Sequence, residues 1–400
     1  MLAHPFFSIG FRPFYLGAAL FACLAIPLWT VGYTAGARIS GAFPAFGWHV
    51  HEMLFGFAPA VIVGFLLTAV RNWTGLPTAS AGGLAALFAL WIAGRVAALV
   101  APGEISSALV DLSFLPVAAC CLAAPLWRAR NTRNGFVVGI LLILFLTNVA
   151  FYGAGFGWLP GTAMRIAEVT ALNVITLLMI IIGGRVIPAF SANATESLKP
   201  KRWPALETFA VGLMVLIALL DLVAPLRAPL QAPLQAPLLV GTEATTYQLL
   251  LVTTAMVHLV RLAAWQPWKT LRNPLLLVLP VSYLWIPICL LLRGLLNGSP
   301  GYIPSPAVHA LVVGAMAGLM LSMMTRSALG HTGRPLRAGR VEVTCFLAIH
   351  AAALTRVFGT LLDPARTTTW ITVSGILWTI AFATFAAGYL SILTTPRRAG

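Results

Sequence analysis

Trp48-His49-Val50-His51-Glu52-Met53 stands at the head of an apolar run that continues to Val70 without a charge. Two imidazoles and a carboxylate within four residues form a ligand set, and imidazole suits iron, copper and zinc. Ionisable side chains at the mouth of a membrane helix are costly and mark function by default. The bland alternative places His49 and His51 in an interfacial belt beside Trp48. If the segment is helical, the two histidines point about 200° apart. One is then expected to ligate while the other supports it, or each serves a separate centre. His309, near the start of a later apolar run, and His350, in the middle of the next, are the other deep histidines.

A second set of residues could meet an anion. Arg95, Arg165, Arg293 and Arg356 lie near the ends of apolar runs. Glu52, Glu104, Glu168 and Asp363 are available to pair with them. The alternative is that some clamp the propionates of a haem whose iron the histidines hold, because arginine recognises carboxylates through two parallel hydrogen bonds. Met316, Met320, Met323 and Met324 form a stripe that packing explains more readily than a soft-metal route. Met324-Thr-Arg-Ser-Ala-Leu-Gly-His331-Thr-Gly-Arg334 could form an anion-binding turn. His258 and Arg261 are one helical turn apart and admit either a structural or a functional role. His4 reads as a surface residue. No nucleophile triad, Walker loop, dinucleotide-binding loop or H-E-x-x-H is present.

The elements that must position these groups are helices in a bilayer. The 400-residue chain is 60% hydrophobic and 9% charged, where soluble domains carry about 25% charge. Windows of about 20 apolar residues place spans near 14–35, 48–70, 80–99, 106–126, 135–155, 163–190, 206–224, 241–264, 274–296, 305–327, 341–362 and 368–394. This predicts an all-α polytopic bundle of about twelve helices forming one integral membrane domain. No cleaved signal is expected at the N-terminus, because the first apolar stretch is long and has no small-residue cleavage site. Cys23, Cys120, Cys121, Cys289 and Cys345 all fall inside apolar runs and are expected to be small core residues. The repeat over 224–239, with proline every fourth residue, predicts an extended periplasmic linker.

Basic residues predict the orientation. With the N-terminus cytoplasmic, the inner segments hold Arg12, Arg71, Arg128, Arg130, Arg133, Lys199, Lys201, Arg202, Lys269, Arg272, Arg334, Arg337, Arg340, Arg397 and Arg398. The outer loops hold only Arg38, Arg227 and Arg366. The positive-inside rule then gives N-in, C-in. The net charge of +15 follows from topology and calls for no nucleic acid. On this orientation His51 and His309 lie at similar depth on two inward-running helices near the outer face, and haem is expected between His309 and one of His49 or His51.

Several stretches together resemble the NnrS family. They are Pro5–Phe14, Trp48–Gly56, Gly64–Gly75, Gly183-Gly-Arg-Val-Ile-Pro188, His309–Gly314 and Met324–Arg334. The resemblance implies a bacterial inner-membrane protein containing haem and copper, associated with nitric-oxide metabolism, denitrification and nitrosative stress. The ninth span departs from the family pattern. That pattern opens with a histidine ahead of Tyr-x-Trp, but this chain reads Leu279-Pro-Val-Ser-Tyr-Leu-Trp285, so any ligand role tied to that histidine is absent. Outer-level histidines on the second and tenth spans are also similar to the low-spin haem site of haem–copper oxidases. The sixth and seventh spans lack the histidine cluster such enzymes need. The expected activity is nitric-oxide binding or electron transfer at a haem. The rival reading is a transporter for a metal or metal complex, which the lack of a clear internal repeat disfavours.

Overall fold

In a computed structural model, the described residues are 4–36, 43, 45–101, 103–194, 199–227, 242–296 and 298–398. Twelve of their helices are long and apolar enough to cross a membrane. No strand occurs among these residues, only one isolated bridge between Ser299 and Tyr302. The all-α expectation is borne out, and the chain is a multi-pass membrane protein. From residue 228 on, the proline repeat lies outside the described residues.

The chain divides into two compact units, residues 1–164, 323–336 and 378–400, and residues 165–322 and 337–377. The first contains α1 (Phe11–Ala35), α2 (Phe46–Thr74), α3 (Ala81–Val100), α4 (Ile105–Arg128) and α5 (Thr132–Gly155). Helix α2 packs on α1 and α4, and α4 packs on α3 and α5. That central place explains why the apolar window of α2 is 94% buried, against 28% for α3.

The second unit contains most of α6 (Thr162–Ala194), then α7 (Pro204–Val223), α8 (Thr242–Ala264) and α9 (Pro274–Leu295). It also takes the first part of α10 (Ser305–His331), α11 (Arg340–Leu362) and the start of α12 (Pro364–Thr394). The ends of α10 and α12 belong to the first unit. Within the second unit α8 packs on α7 and α9, and α9 and α11 both pack on the middle of α10.

Three helices contain π-helical stretches, Glu52–Phe57 in α2, Ala310–Ala317 in α10 and Thr355–Gly359 in α11. Such turns admit an extra residue, shift the side-chain register and often occur at functional sites. Two of them begin directly after a candidate histidine, His51 and His309. The cysteines need one correction. Cys289 and Cys345 are buried, Cys23 and Cys121 are half-buried, and Cys120 is exposed. Cys120 lies on the exposed side of α4.

Candidate functional site

In the first unit, the π-turn of α2 sets Glu52 beside His51. The imidazole Nδ1 is 2.9 Å from Glu52 Oε1, and its Nε2 is 3.0 Å from Asn148 Oδ1 and 3.3 Å from Asp111 Oδ2. Arg95, from α3, donates Nη1 to Glu52 Oε2 at 2.6 Å and pairs through Nη2 with Asp111 Oδ1. The Asn148 amide donates Nδ2 to Asp111 Oδ2 at 3.0 Å. All five side chains are buried. The rings of Phe43, Phe55, Phe151 and Tyr152 enclose the imidazole. Gly56 is needed here, because a Cβ on it would lie 2.5 Å from Arg95 Nη1. Trp91 donates its indole N–H to the Gly56 carbonyl at 3.0 Å.

Donor bookkeeping gives the charge of this cluster. Asn148 donates from its amide nitrogen to Asp111, so its oxygen faces His51 Nε2, which must donate. His51 Nδ1 faces a carboxylate. Every contact is a hydrogen bond only if the cluster carries one proton beyond neutral imidazole and two carboxylates. With Arg95 the total charge is then zero, the state a low-dielectric interior favours.

The second unit contains a related cluster. Asp221 on α7 accepts through Oδ1 from Arg293 Nη2 at 2.5 Å, the Tyr247 hydroxyl at 2.7 Å and the Gly301 amide at 2.9 Å. Its Oδ2 accepts from Asn173 Nδ2 at 2.8 Å. The Arg293 guanidinium lies 5.4 Å from the Tyr247 ring centroid, a cation–π distance. Elsewhere in this unit Arg261 grips Glu207 with two parallel bonds of 3.1 and 2.5 Å. It also donates Nη1 to the Tyr283 hydroxyl at 2.6 Å. The same hydroxyl lies within hydrogen-bond distance of His258 Nδ1, at 2.8 Å. The close approach of Arg261 requires Gly184, where a Cβ would fall on the guanidinium.

The remaining sequence candidates separate. His49 stacks on Trp29, with centroids 4.2 Å apart. It points away from the His51 network, as the helical spacing predicts. His309 donates Nδ1–H to the Ser305 carbonyl at 2.7 Å, which leaves the lone pair on Nε2. His350 accepts from Trp285 Nε1 at 3.2 Å, and its Nε2 faces Ser282 Oγ at 3.4 Å. Trp285 and Tyr283, from the stretch that lacks the family histidine, therefore serve other histidines. Arg165 is electrostatically coupled to Glu168, and Arg356 is buried in the π-helical stretch of α11. Asp363 pairs with Arg366 at the surface, and His4 is exposed. His331 lies 5.7 Å from the Phe11 ring. Among the described residues no three His, Cys, Asp or Glu side chains form a group that could hold a metal ion.

The residues that sequence reasoning missed are Asp111, Asn148, Asp221, Asn173 and Glu207. Asp111 and Asp221 carried a usable signal, because each is a lone carboxylate inside an apolar run.

Twelve apolar helices with neutralised charge clusters buried among them define a polytopic helical membrane protein with an elaborated polar interior. The family is then specific: the chain belongs to the NnrS family, whose model, described as NnrS protein, matches residues 5–397. No curated protein sequence matches the chain.

Proposed function

We propose that the protein is a haem-binding protein of the bacterial inner membrane that acts in nitric-oxide metabolism and the nitrosative-stress response. Membership of the NnrS family supports the nitric-oxide assignment. One observation carries the choice of ligand. The Nδ1–H of His309 is held by the Ser305 carbonyl at 2.7 Å, the outer-shell bond that orients a metal-ligating imidazole and presents its Nε2. Ser305 lies one helical turn before His309, so the same face of α10 supplies both groups.

Bound haem iron would supply an open coordination position for a diatomic ligand and one-electron chemistry. The protein's own residues divide the remaining tasks. His309 would hold the haem iron through its imidazole. His51 does not fit it as placed, because both ring nitrogens are committed to Glu52, Asn148 and Asp111. Its role is to neutralise and fix that cluster. Arg95 and Arg293 have carboxylate partners inside the protein, so they would influence a cofactor through field and position. Copper, the second metal the family resemblance implies, is proposed with it.

The test is an absorption spectrum and metal analysis of purified protein, followed by single alanine variants of His49, His51, His309 and His350. His309→Ala is expected to lose the Soret band or change spin state, and folded His51→Ala to keep it. Wild-type protein without haem iron would overturn the haem reading. An unchanged spectrum in His309→Ala would overturn the ligand alone.

A further inference from the structure

At one end of the first unit lies a cavity of about 550 Å³. Its walls include Arg12, Arg71, Arg397, His331, Ser8 and Asn72, and no carboxylate lines it. Three guanidiniums and an imidazole therefore face one space. Among the described residues none of these three arginines has an ion-pair partner, in contrast to Arg95, Arg261 and Arg293.

Arg12 is the most telling of them. It is 2% exposed. Its Nη1 donates to the carbonyls of Leu393 and Thr395, at 3.1 and 2.6 Å, at the end of α12. The partial negative charge of a helix end, about half a unit, offsets only part of its cation. Its Nε is buried with no hydrogen-bond partner. A buried guanidinium with an unused donor and no acid beside it implies that an anion completes the site.

We propose that this cavity binds a phosphate-bearing ligand. Guanidinium forks match a tetrahedral oxyanion, and three of them favour a phosphate over a single carboxylate. Asn72 adds an uncharged donor, while the Ser8 hydroxyl gives its proton to the Pro5 carbonyl at 2.6 Å. The volume lies within the range of small-molecule sites, so the phosphate carries an organic remainder, which Ile9 and Pro396 would contact. The phosphate can come from a soluble monoester or from an anionic phospholipid headgroup. The site does not depend on haem.

The experiment uses the full chain in a neutral detergent and follows thermal stability by tryptophan fluorescence. The probes are glycerol 3-phosphate, phosphatidylglycerol in mixed micelles, phosphatidylcholine as the zwitterionic control and sodium chloride at matched ionic strength. The comparison is Arg71→Gln/Arg397→Gln, whose side chains are both exposed, so the fold is retained. Saturable stabilisation by glycerol 3-phosphate, weakened at least about tenfold in the double variant, supports a soluble source. Stabilisation by phosphatidylglycerol alone, weakened in the same way, supports a lipid source. An equal effect from phosphatidylcholine or chloride, no stabilisation by either phosphate probe, or undiminished affinity in the double variant overturns the proposal.

Discussion

Replacing Asp221 by asparagine tests the second buried cluster almost atom by atom. The Oδ1 of Asp221 accepts three hydrogen bonds, from Arg293, Tyr247 and the Gly301 amide. An asparagine oxygen can take over all three. The other oxygen accepts from Asn173 Nδ2 at 2.8 Å, and an asparagine there would set two amide donors against each other. The substitution also strands the Arg293 charge in a site where both residues are about 1% exposed. Breaking a buried pair costs about 3–5 kcal/mol, and an unsatisfied buried donor about 1–3 kcal/mol. Asp221→Asn is therefore expected to lose about 3–5 kcal/mol in reversible unfolding by detergent titration, read by tryptophan fluorescence. Adding Asn173→Asp restores a donor–acceptor pair and returns a negative charge to the cluster, so the swap should recover about 1–3 kcal/mol of the loss. If Asp221→Asn stays within about 1 kcal/mol of the parent, or if the swap is no better than the single variant, the assignment of a charged, closed cluster is wrong.

Two further outcomes follow from the packing and the charge pattern. Gly184→Ala should destabilise by about 1–3 kcal/mol, because its Cβ meets the Arg261 guanidinium, whereas Gly212→Ala, with open space around its Cβ, should be neutral or stabilising in the same thermal melts. Equal effects would remove the Arg261 contact from the account. Reporter fusions after Arg133, Lys201 and Arg340 should read cytoplasmic and fusions within 228–236 periplasmic, and a periplasmic signal after Lys201 would overturn the N-in, C-in proposal.

The helices were legible because a bilayer demands long apolar runs, and twelve such runs stand out against a chain with few charges. Their ends were less legible for a physical reason. Helix α1 begins at Phe11, earlier than its first uncharged window, because Arg12 turns its charge onto carbonyls some 380 residues away in sequence. No local pattern encodes that contact. The divergence of His49 and His51 was readable from helical period alone. The partners of His51 were not, since Asn148 and Asp111 come from two other helices and only packing brings them together. Glu52 adjoins His51 in the sequence and is visible there as a partner for arginine, whereas Asp111, which bridges to Arg95, comes from a different helix. The π-helical turns after His51 and His309 leave no compositional trace, because an inserted residue in a helix looks like any other apolar residue.

The Asp111 and Asp221 clusters repeat one construction. An aspartate alone in an apolar helix gives one oxygen to an arginine and the other to an asparagine amide: Asp111 with Arg95 and Asn148, Asp221 with Arg293 and Asn173. A carboxylate has two oxygens and a buried one must satisfy both. The arginine neutralises the charge and the asparagine fixes the orientation, so three helices are joined in a single register. A buried pair of this kind adds little net stability over a well-packed apolar alternative. Its effect is specificity, since any helix shift leaves a charge unpaired in hydrocarbon. The same logic separates these arginines from those of the cavity. Arg95 and Arg293 have acids supplied by the chain, and their work is internal. Arg12, Arg71 and Arg397 have none among the described residues. A fold that pairs the buried Arg95, Arg261 and Arg293 with its own acids, yet leaves the buried Arg12 without one beside the exposed Arg71 and Arg397, places there the demand for an anion from outside.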